Sequence, residues 1–218
     1  MQLHWHRRNL RPYPNPALST ALDAAKRTDG HVASLFVLDD SVLSRANGLG
    51  VAFMLGSLHA LRDWYRTHGS DLVIRHGDPT DVVCRTATEI GATRVVWNED
   101  HSRLARERDD AVQRALTRSE IDYTAVPGAQ LDGSSASSTV VAEPEAHLAD
   151  PTALGLAPET VPRLADLGED AFDPAPLTAG TEAARKRLQA LSNGTTYRRC
   201  DDDTGRVAPI HRRLHTTA

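Results

Sequence analysis

Cysteine is nearly absent from this chain of 218 residues: Cys84 and Cys200 are the only two, and they lie far apart. Such a pair offers no zinc spacing, no redox motif and no disulfide framework, so free thiols in a reducing compartment are expected. Lysine is almost as scarce, with Lys26 and Lys186 alone among 25 basic residues. Acidic residues number 29, which leaves a formal net charge of −4. A free-standing nucleic-acid binder usually carries a basic excess, so DNA binding by this chain alone is not expected. No stretch approaches the ~18 apolar residues of a membrane span. Residues Met1 to Arg8 have neither the apolar core nor the cleavage pattern of a signal peptide. The expectation is a soluble, cytoplasmic protein without membrane contact.

Familiar chemical motifs are missing too. No G-x-G-x-x-G follows the first strand and no G-x-x-x-x-G-K-[ST] occurs, which excludes a dinucleotide fingerprint and a phosphate loop. A G-x-S-x-G elbow and an H-E-x-x-H pair are also lacking. His4 and His6 face the same side of a strand around Trp5, but a third ligand is missing, and zinc wants three or four. No metal site is expected and no catalytic residue stands out.

What is present is an ordinary globular composition, 40% hydrophobic and 25% charged. Short apolar runs alternate with amphipathic stretches. Leu3–His6 reads as a strand; Asn15 as an N-cap with Pro16 opening a helix that ends near Gly30; His31–Leu38 as a buried strand stopped by Asp39 and Asp40. Gly48–His68 reads as a long helix stopped by Gly69, Asp71–Arg75 as a strand, and Thr80–Ile90 as a helix stopped by Gly91. Arg94–Trp97, a charged surface helix over Leu104–Arg118, and Ile121–Val126 complete the series. The pattern predicts an α/β fold, a Rossmann-like, doubly wound, five-stranded parallel sheet. After Pro127 the composition shifts to Gly, Ser, Pro and Ala. The expected organisation is an α/β domain over 1–130, a partly disordered linker over 131–178, and a helical remnant with an irregular tail over 179–218, its helix at Thr181–Leu191.

Ligands of an open parallel sheet bind beyond the carboxyl ends of the strands, near the point where strand order reverses. That rule gathers Arg7, Arg8, Asp39, Glu99 and Asp100 around one crevice. The bland alternative is that these groups cap helices and pair with each other.

The literal sequence goes further. Trp5-His6-Arg7-Arg8-Asn9-Leu10-Arg11, followed by Asn15-Pro16-Ala17-Leu18, resembles the opening of DNA photolyases and cryptochromes. Phe36-Val37-Leu38-Asp39 is similar to that family's second strand. Val51 to Leu58, continuing to Gly69-Ser70-Asp71-Leu72-Val73 and Gly77-Asp78-Pro79, is similar to its long helix and third strand. Val96-Trp97-Asn98-Glu99-Asp100, with Arg106 to Asp109 behind it, is similar to its fourth strand and following loop. The resemblance implies an antenna domain whose chromophore, a deazaflavin, a folate or a flavin, is held by Arg7, Arg8, the backbone at Val37 and Leu38, Asp39, Glu99 and Asp100. For the whole family it implies light-dependent repair of pyrimidine dimers in DNA, a lyase reaction run by FAD in a helical C-terminal domain.

Several positions depart from the family pattern. Asn9 replaces an Asp, Pro14 the Asp before Asn15, His101 a Tyr, and Gly50 an Arg that touches the antenna in deazaflavin-binding relatives. Residues 150–167 and 180–197 resemble the interdomain linker and first helix of the FAD domain, and beyond Arg199 the likeness ends. The expectation is a truncated copy without the catalytic FAD site and without repair activity on its own. The alternatives are an antenna- or nucleotide-binding module working with a separate helical FAD-domain partner, and a generic α/β protein sharing only the sheet. An uncovered domain interface, with apolar surface near Trp64 or on the Thr181–Leu191 helix, would favour self-association.

Overall fold

The computed structural model of the chain describes residues 1–127, 144–157, 159–167 and 178–194. Five strands, β1 (Gln2–His6), β2 (Val32–Leu38), β3 (Leu72–His76), β4 (Arg94–Asn98) and β5 (Asp122–Val126), form one parallel sheet in the order β3-β2-β1-β4-β5. The helices are α1 (Pro16–Arg27), α2 (Asp40–Leu43), α3 (Gly48–Thr67), α4 (Pro79–Glu89), α5 (Arg103–Arg118) and α6 (Thr181–Gly194). The predicted doubly wound α/β sheet is present, with strand bounds within one residue of those expected. Strand order reverses between β1 and β4, which opens a crevice at their carboxyl ends.

Both faces of the sheet are covered. Every residue of β1 and β2 is buried, as a central parallel strand requires. Leu3, Trp5, Leu35, Val95 and Trp97 pack toward Val83 of α4 and Val112 and Leu116 of α5. Phe36, Ile74 and Val96 pack on the other side against Leu18 and Leu22 of α1 and Leu58, Leu61 and Tyr65 of α3. The alternation of side chains along each strand separates the two layers.

Helix ends follow local chemistry. Asn15 Oδ1 accepts the Leu18 N–H at 3.1 Å, and Pro16 opens α1. Asp78 caps α4 at the Thr80 N–H, ahead of Pro79. Gly69 and Gly91 stop α3 and α4 with positive φ, the backbone state that lacks a Cβ penalty. Asp29 and Glu120 hold the same left-handed position after α1 and α5. No glycine marks those stops, which is why α1 was expected to run on toward Gly30 and instead ends at Arg27. The turn α2 was not foreseen either: Asp39 does not merely stop β2, its side chain accepts from Ser41 and starts a helix.

Asn15 is buried, and Asn98 Nδ2 donates to its Oδ1 at 2.7 Å while Asn98 Oδ1 accepts the Ala17 N–H at 3.2 Å. This amide pair fixes α1 to the end of β4. Asn15→Ala removes the cap and leaves a buried donor unsatisfied, so a loss of about 2–3 kcal/mol is expected in urea unfolding. A cost below ~0.5 kcal/mol would mean that water replaces the amide.

Residues 144–167, where they are described, fold into short 3-10 turns at Pro144–His147, Thr152–Leu154 and Leu164–Leu167. Their backbone is fastened at the amino end of the sheet. The Ala149 N–H donates to Val32 O at 2.9 Å, Ser70 Oγ donates to Ala149 O, and Arg62 Nη1 donates to Glu159 O at 2.7 Å. Leu148, Ala149, Leu156 and Val161 are buried in the process. Arg62 is itself buried and held by a bidentate pair with Asp71 at 2.7 and 3.0 Å. On α3, Trp64 is half-buried and stacks on His68, while Leu49 and Phe53 are exposed. The chain divides into two compact units, Met1–Ala183 and the part from Ala184 onward, whose described portion continues α6. Among the described residues, no helix is long and apolar enough to cross a membrane.

Candidate functional site

A cleft of about 240 Å³ opens at the carboxyl ends of β1, β2 and β4. Its floor is apolar: Trp5 from β1, Phe36, Val37 and Leu38 from β2. One wall is Val42 and Leu43 of α2 with Met54 of α3; the other is Leu104, Ala105 and Arg108 at the start of α5. Arg7, Arg8, Asp39, Asp100 and Ser102 supply polar atoms at the rim. The crossing order of the strands therefore puts one apolar slot and three guanidinium groups in the same place.

The charges around it come in pairs. Arg7 Nη1 lies 2.6 Å from Asp109 Oδ1, with only 3% and 9% of the two side chains exposed. Asp109 Oδ2 also accepts Trp97 Nε1–H at 3.3 Å. Arg108 Nη1 is 3.3 Å from Asp39 Oδ2, and Arg8 Nη1 is 3.5 Å from Asp100 Oδ1. The guanidinium carbons of Arg7 and Arg108 sit 5.0 and 5.6 Å from the Trp5 ring centroid. Burial raises the Asp109 carboxyl, although the facing Arg7 charge and hydrogen bond pull it down. Asp100 is penalised by burial, yet the Ser102 N–H and the Arg8 and Arg7 charges outweigh this, and its carboxyl sits below the usual value. Burial likewise lowers the pKa of Arg7, opposed by Asp109.

Not every donor is used. Nε and Nη2 of Arg7 and Nε of Arg108 are buried without a hydrogen-bond partner. Leaving such groups unpaired is costly.

Behind the cleft runs a neutral relay of hydrogen bonds. Ser34 Oγ donates to Tyr65 Oη at 2.8 Å, and Tyr65 Oη lies 2.8 Å from His6 Nε2. His6 Nδ1 lies 3.3 Å from Asn9 O. The pattern places the imidazole proton on Nδ1 and leaves Nε2 to accept from the tyrosine. Burial drives the His6 pKa down to about 4, the Asn9 carbonyl opposing it. His4, its ring 4.2 Å from that of His6, is fully buried with neither nitrogen paired. Burial and then the His6 charge lower its pKa well below the ordinary value. Among the described residues no group of three or more His, Cys, Asp or Glu side chains is placed to hold a metal.

Of the residues nominated from sequence, Arg7, Arg8, Val37, Leu38, Asp39 and Asp100 come together around the cleft. Glu99 does not line it; this residue is exposed, and its N–H donates to Val126 O at 2.8 Å. Sequence reasoning passed over Arg108, Asp109 and Met54. A signal for Asp109 was available: Ala105, Asp109, Val112 and Leu116 are spaced as one buried helix stripe, and a carboxylate in such a stripe demands a cationic partner. Reading α5 as a plain surface helix hid it.

Comparison with known proteins identifies relatives of this α/β fold. A family model for DNA photolyase matches residues 2–132. A deoxyribodipyrimidine photo-lyase of Halobacterium salinarum is 50% identical over 121 residues, 53% of this chain and 25% of that protein. The chain therefore aligns with about a quarter of that relative's length. The crystal structure of an archaeal photolyase from Sulfolobus tokodaii, solved with two FAD molecules, superposes with a TM-score of 0.53 at 26% identity, covering 58% of this chain and 29% of that one. A Synechocystis cryptochrome superposes with a TM-score of 0.72 over 89% of this chain and 46% of its own, and at 17% identity it speaks to the fold alone.

Proposed function

This chain belongs to the DNA photolyase family, and from that membership we propose that its α/β unit holds a planar light-absorbing chromophore in the cleft at the ends of β1, β2 and β4. The observation that carries the reading is an apolar slot floored by Trp5, Phe36, Val37 and Leu38 and bordered by Arg7, Arg8 and Arg108. A deazaflavin, a folate and a flavin each offer a flat ring system with acceptor atoms at its edge, which suits both features. At about 240 Å³ the slot falls a little short of the ~300–1,000 Å³ usual for ligand pockets. It takes the ring system, and the rest of the molecule extends outward. Beyond the Asp39–Arg108 pair lies a second hollow of about 430 Å³ bordered by Asp40, Asp78 and Glu107. Those carboxylates turn a phosphate-bearing tail away from that side.

Within this reading Arg7 and Arg108 orient the ring edge, Trp5, Val42 and Met54 exclude water from its faces, and Asp109 and Asp39 hold those two arginines in place. The bound chromophore would absorb light and pass its excitation to a flavin site. The flavin-dependent repair of pyrimidine dimers implied for the family falls to a helical domain, in the same polypeptide or in a separate partner. Contact with DNA falls to that domain too, since this chain's formal net charge is −4.

The test is titration of the protein with a flavin, a folate and a deazaflavin, followed by visible absorption and fluorescence. Saturable binding of at least one, at one per chain, is expected. Val42 is exposed on the cleft wall, so Val42→Glu should spare the fold. That change should weaken binding about tenfold, the ~1.4 kcal/mol of a lost apolar contact. No binding of any of the three, or binding indifferent to Val42→Glu, would sink the reading.

A further inference from the structure

The hydrogen bonds from Ser34 through Tyr65 to His6 point one way, and chemistry at the far end sets the direction. Asn9 O, 3.3 Å from His6 Nδ1, is a carbonyl oxygen and can only accept, so Nδ1 carries the hydrogen. A neutral imidazole has one such hydrogen. Nε2 is left to accept from the Tyr65 O–H at 2.8 Å, and Ser34 Oγ donates to Tyr65 Oη at 2.8 Å. Burial keeps the system neutral: the His6 pKa falls to about 4, and that of the Tyr65 phenol is raised. The two bonds on the imidazole are unequal. The Asn9 contact is at the long limit for N–H···O and selects a tautomer weakly, whereas the Tyr65 contact is short and buried. Tyr65 therefore decides which ring nitrogen is protonated.

The consequence falls on the cleft. His6 lines it, and its side chain reaches past the next two residues to Asn9, closing a turn around Arg7 and Arg8. In the same turn the Leu10 N–H donates to Arg8 O at 3.1 Å. Asp109 holds Arg7 by its guanidinium, so this turn is what holds its backbone end. With the imidazole hydrogen on Nε2, the Nδ1 lone pair would face the Asn9 oxygen, and the repulsion would push the turn away. Little else faces His6: the ring of His4 at 4.2 Å, with neither nitrogen paired, and Phe36, its register partner on β2. Tyr65 itself stands back from the cleft lining, fully buried on α3. Core filling accounts for its ring, and phenylalanine would fill the same space. The hydroxyl needs another reason, because burying one is costly.

We propose that Tyr65 is a positioning residue for the cleft, which holds His6 as the Nδ1–H tautomer and thereby sets the turn carrying Arg7 and Arg8 against the ligand. The proposal rests on the reading of the cleft as a chromophore site. It gives α3 control over two arginines that it does not touch.

The experiment uses the full chain labelled with nitrogen-15 and carbon-13. Long-range proton–nitrogen correlation in the ligand-free protein should show His6 as a single Nδ1–H tautomer. Tyr65→Phe removes the hydroxyl and keeps the ring; it should give a mixture of tautomers and shift the Nε–H resonance of Arg7. Ser34→Ala leaves the Tyr65 proton in place and should change neither. Riboflavin affinity, followed by flavin fluorescence, should weaken about tenfold in Tyr65→Phe, the factor that one net buried hydrogen bond represents. In His6→Asn the amide nitrogen takes the place of Nδ1 and the contact with Tyr65 is gone, so adding Tyr65→Phe should change affinity less than about twofold. An Nε2–H tautomer in the parent, an Arg7 resonance unmoved by Tyr65→Phe, or an equal shift in Ser34→Ala overturns the positioning role, with or without ligand. Undiminished affinity in Tyr65→Phe, or a tenfold loss that persists in the His6→Asn background, overturns it as well. Riboflavin that fails to bind the parent chain counts against the chromophore reading alone, and the His6 and Arg7 resonances still decide the role of Tyr65.

Discussion

Arg7→Met is expected to cost about 3–5 kcal/mol of stability, read as a shift of the urea midpoint at constant slope. The reason is the partner it abandons. Asp109 is 6% exposed, lies on the inner stripe of α5 and faces Arg7 at 2.6 Å. Without the guanidinium, the Trp97 N–H is its one remaining close donor. Burial already raises this carboxyl, and Arg7 is the main force pulling it down. Its loss sends the pKa further up, so the damage in Arg7→Met should shrink at acidic pH, where the proton neutralises the stranded charge. Replacing both partners by apolar groups of similar volume, Arg7→Met with Asp109→Leu, should recover most of the loss. A single variant costing less than ~1 kcal/mol would mean that water screens the pair as it screens a surface bridge.

The second large effect is acid lability from the histidines under the sheet. His6 has an ordinary pKa of 6.5 in the unfolded chain and about 4 in the folded protein. Between those values the unfolded state binds the proton and the folded state does not, so stability falls as pH drops through that window. His6 alone contributes a loss of about 3 kcal/mol from pH 7 to below pH 4. His4, also lowered by burial, adds to it in the same direction. Asp109 works the other way, because a raised carboxyl takes up a proton more readily in the folded state. The lowered carboxyls of Asp71 and Asp100 act only at lower pH, where their contribution is lost as they protonate. Urea midpoints measured from pH 7 to pH 4 should therefore slide downward. His4→Leu should flatten the slide and cost little at pH 7, since neither nitrogen of His4 has a partner to lose. A flat profile in the parent protein would show that the imidazoles are hydrated rather than buried.

The framework was legible because local signals and burial agree there. The unbroken apolar run of β2, Asn15-Pro16 before α1, Asp78-Pro79 before α4, and the glycines after α3 and α4 each specify their element without help from distant residues. Reading failed where one residue's role is set by another far away. Asp39 looks like a strand stop until Ser41 is seen folding back on it, and Arg108 looks like surface until Trp5 lies beneath it. The stretch after Pro144 is poor in periodicity, and only its partners at Val32, Ser70 and Arg62 give its described residues a defined path. At the cleft, the strand-end rule found both arginines that follow β1 and the acids at 39 and 100, but it could not separate Glu99, whose neighbour Asp100 turns inward while it turns out.

The fastening of residues 144–167 across the amino end of the sheet gives the unit two ends with different freedoms. Sequence change at the fastened end disturbs backbone hydrogen bonds and buried leucines, and is paid for in folding. At the opposite end Val42, Arg8 and the α2 turn stand exposed on a frame already secured elsewhere. Substitutions there change the lining of the cleft while leaving the sheet intact. Under the proposed chromophore reading, pigment preference would drift across descendants of this fold faster than the fold itself, by a few substitutions on a single rim.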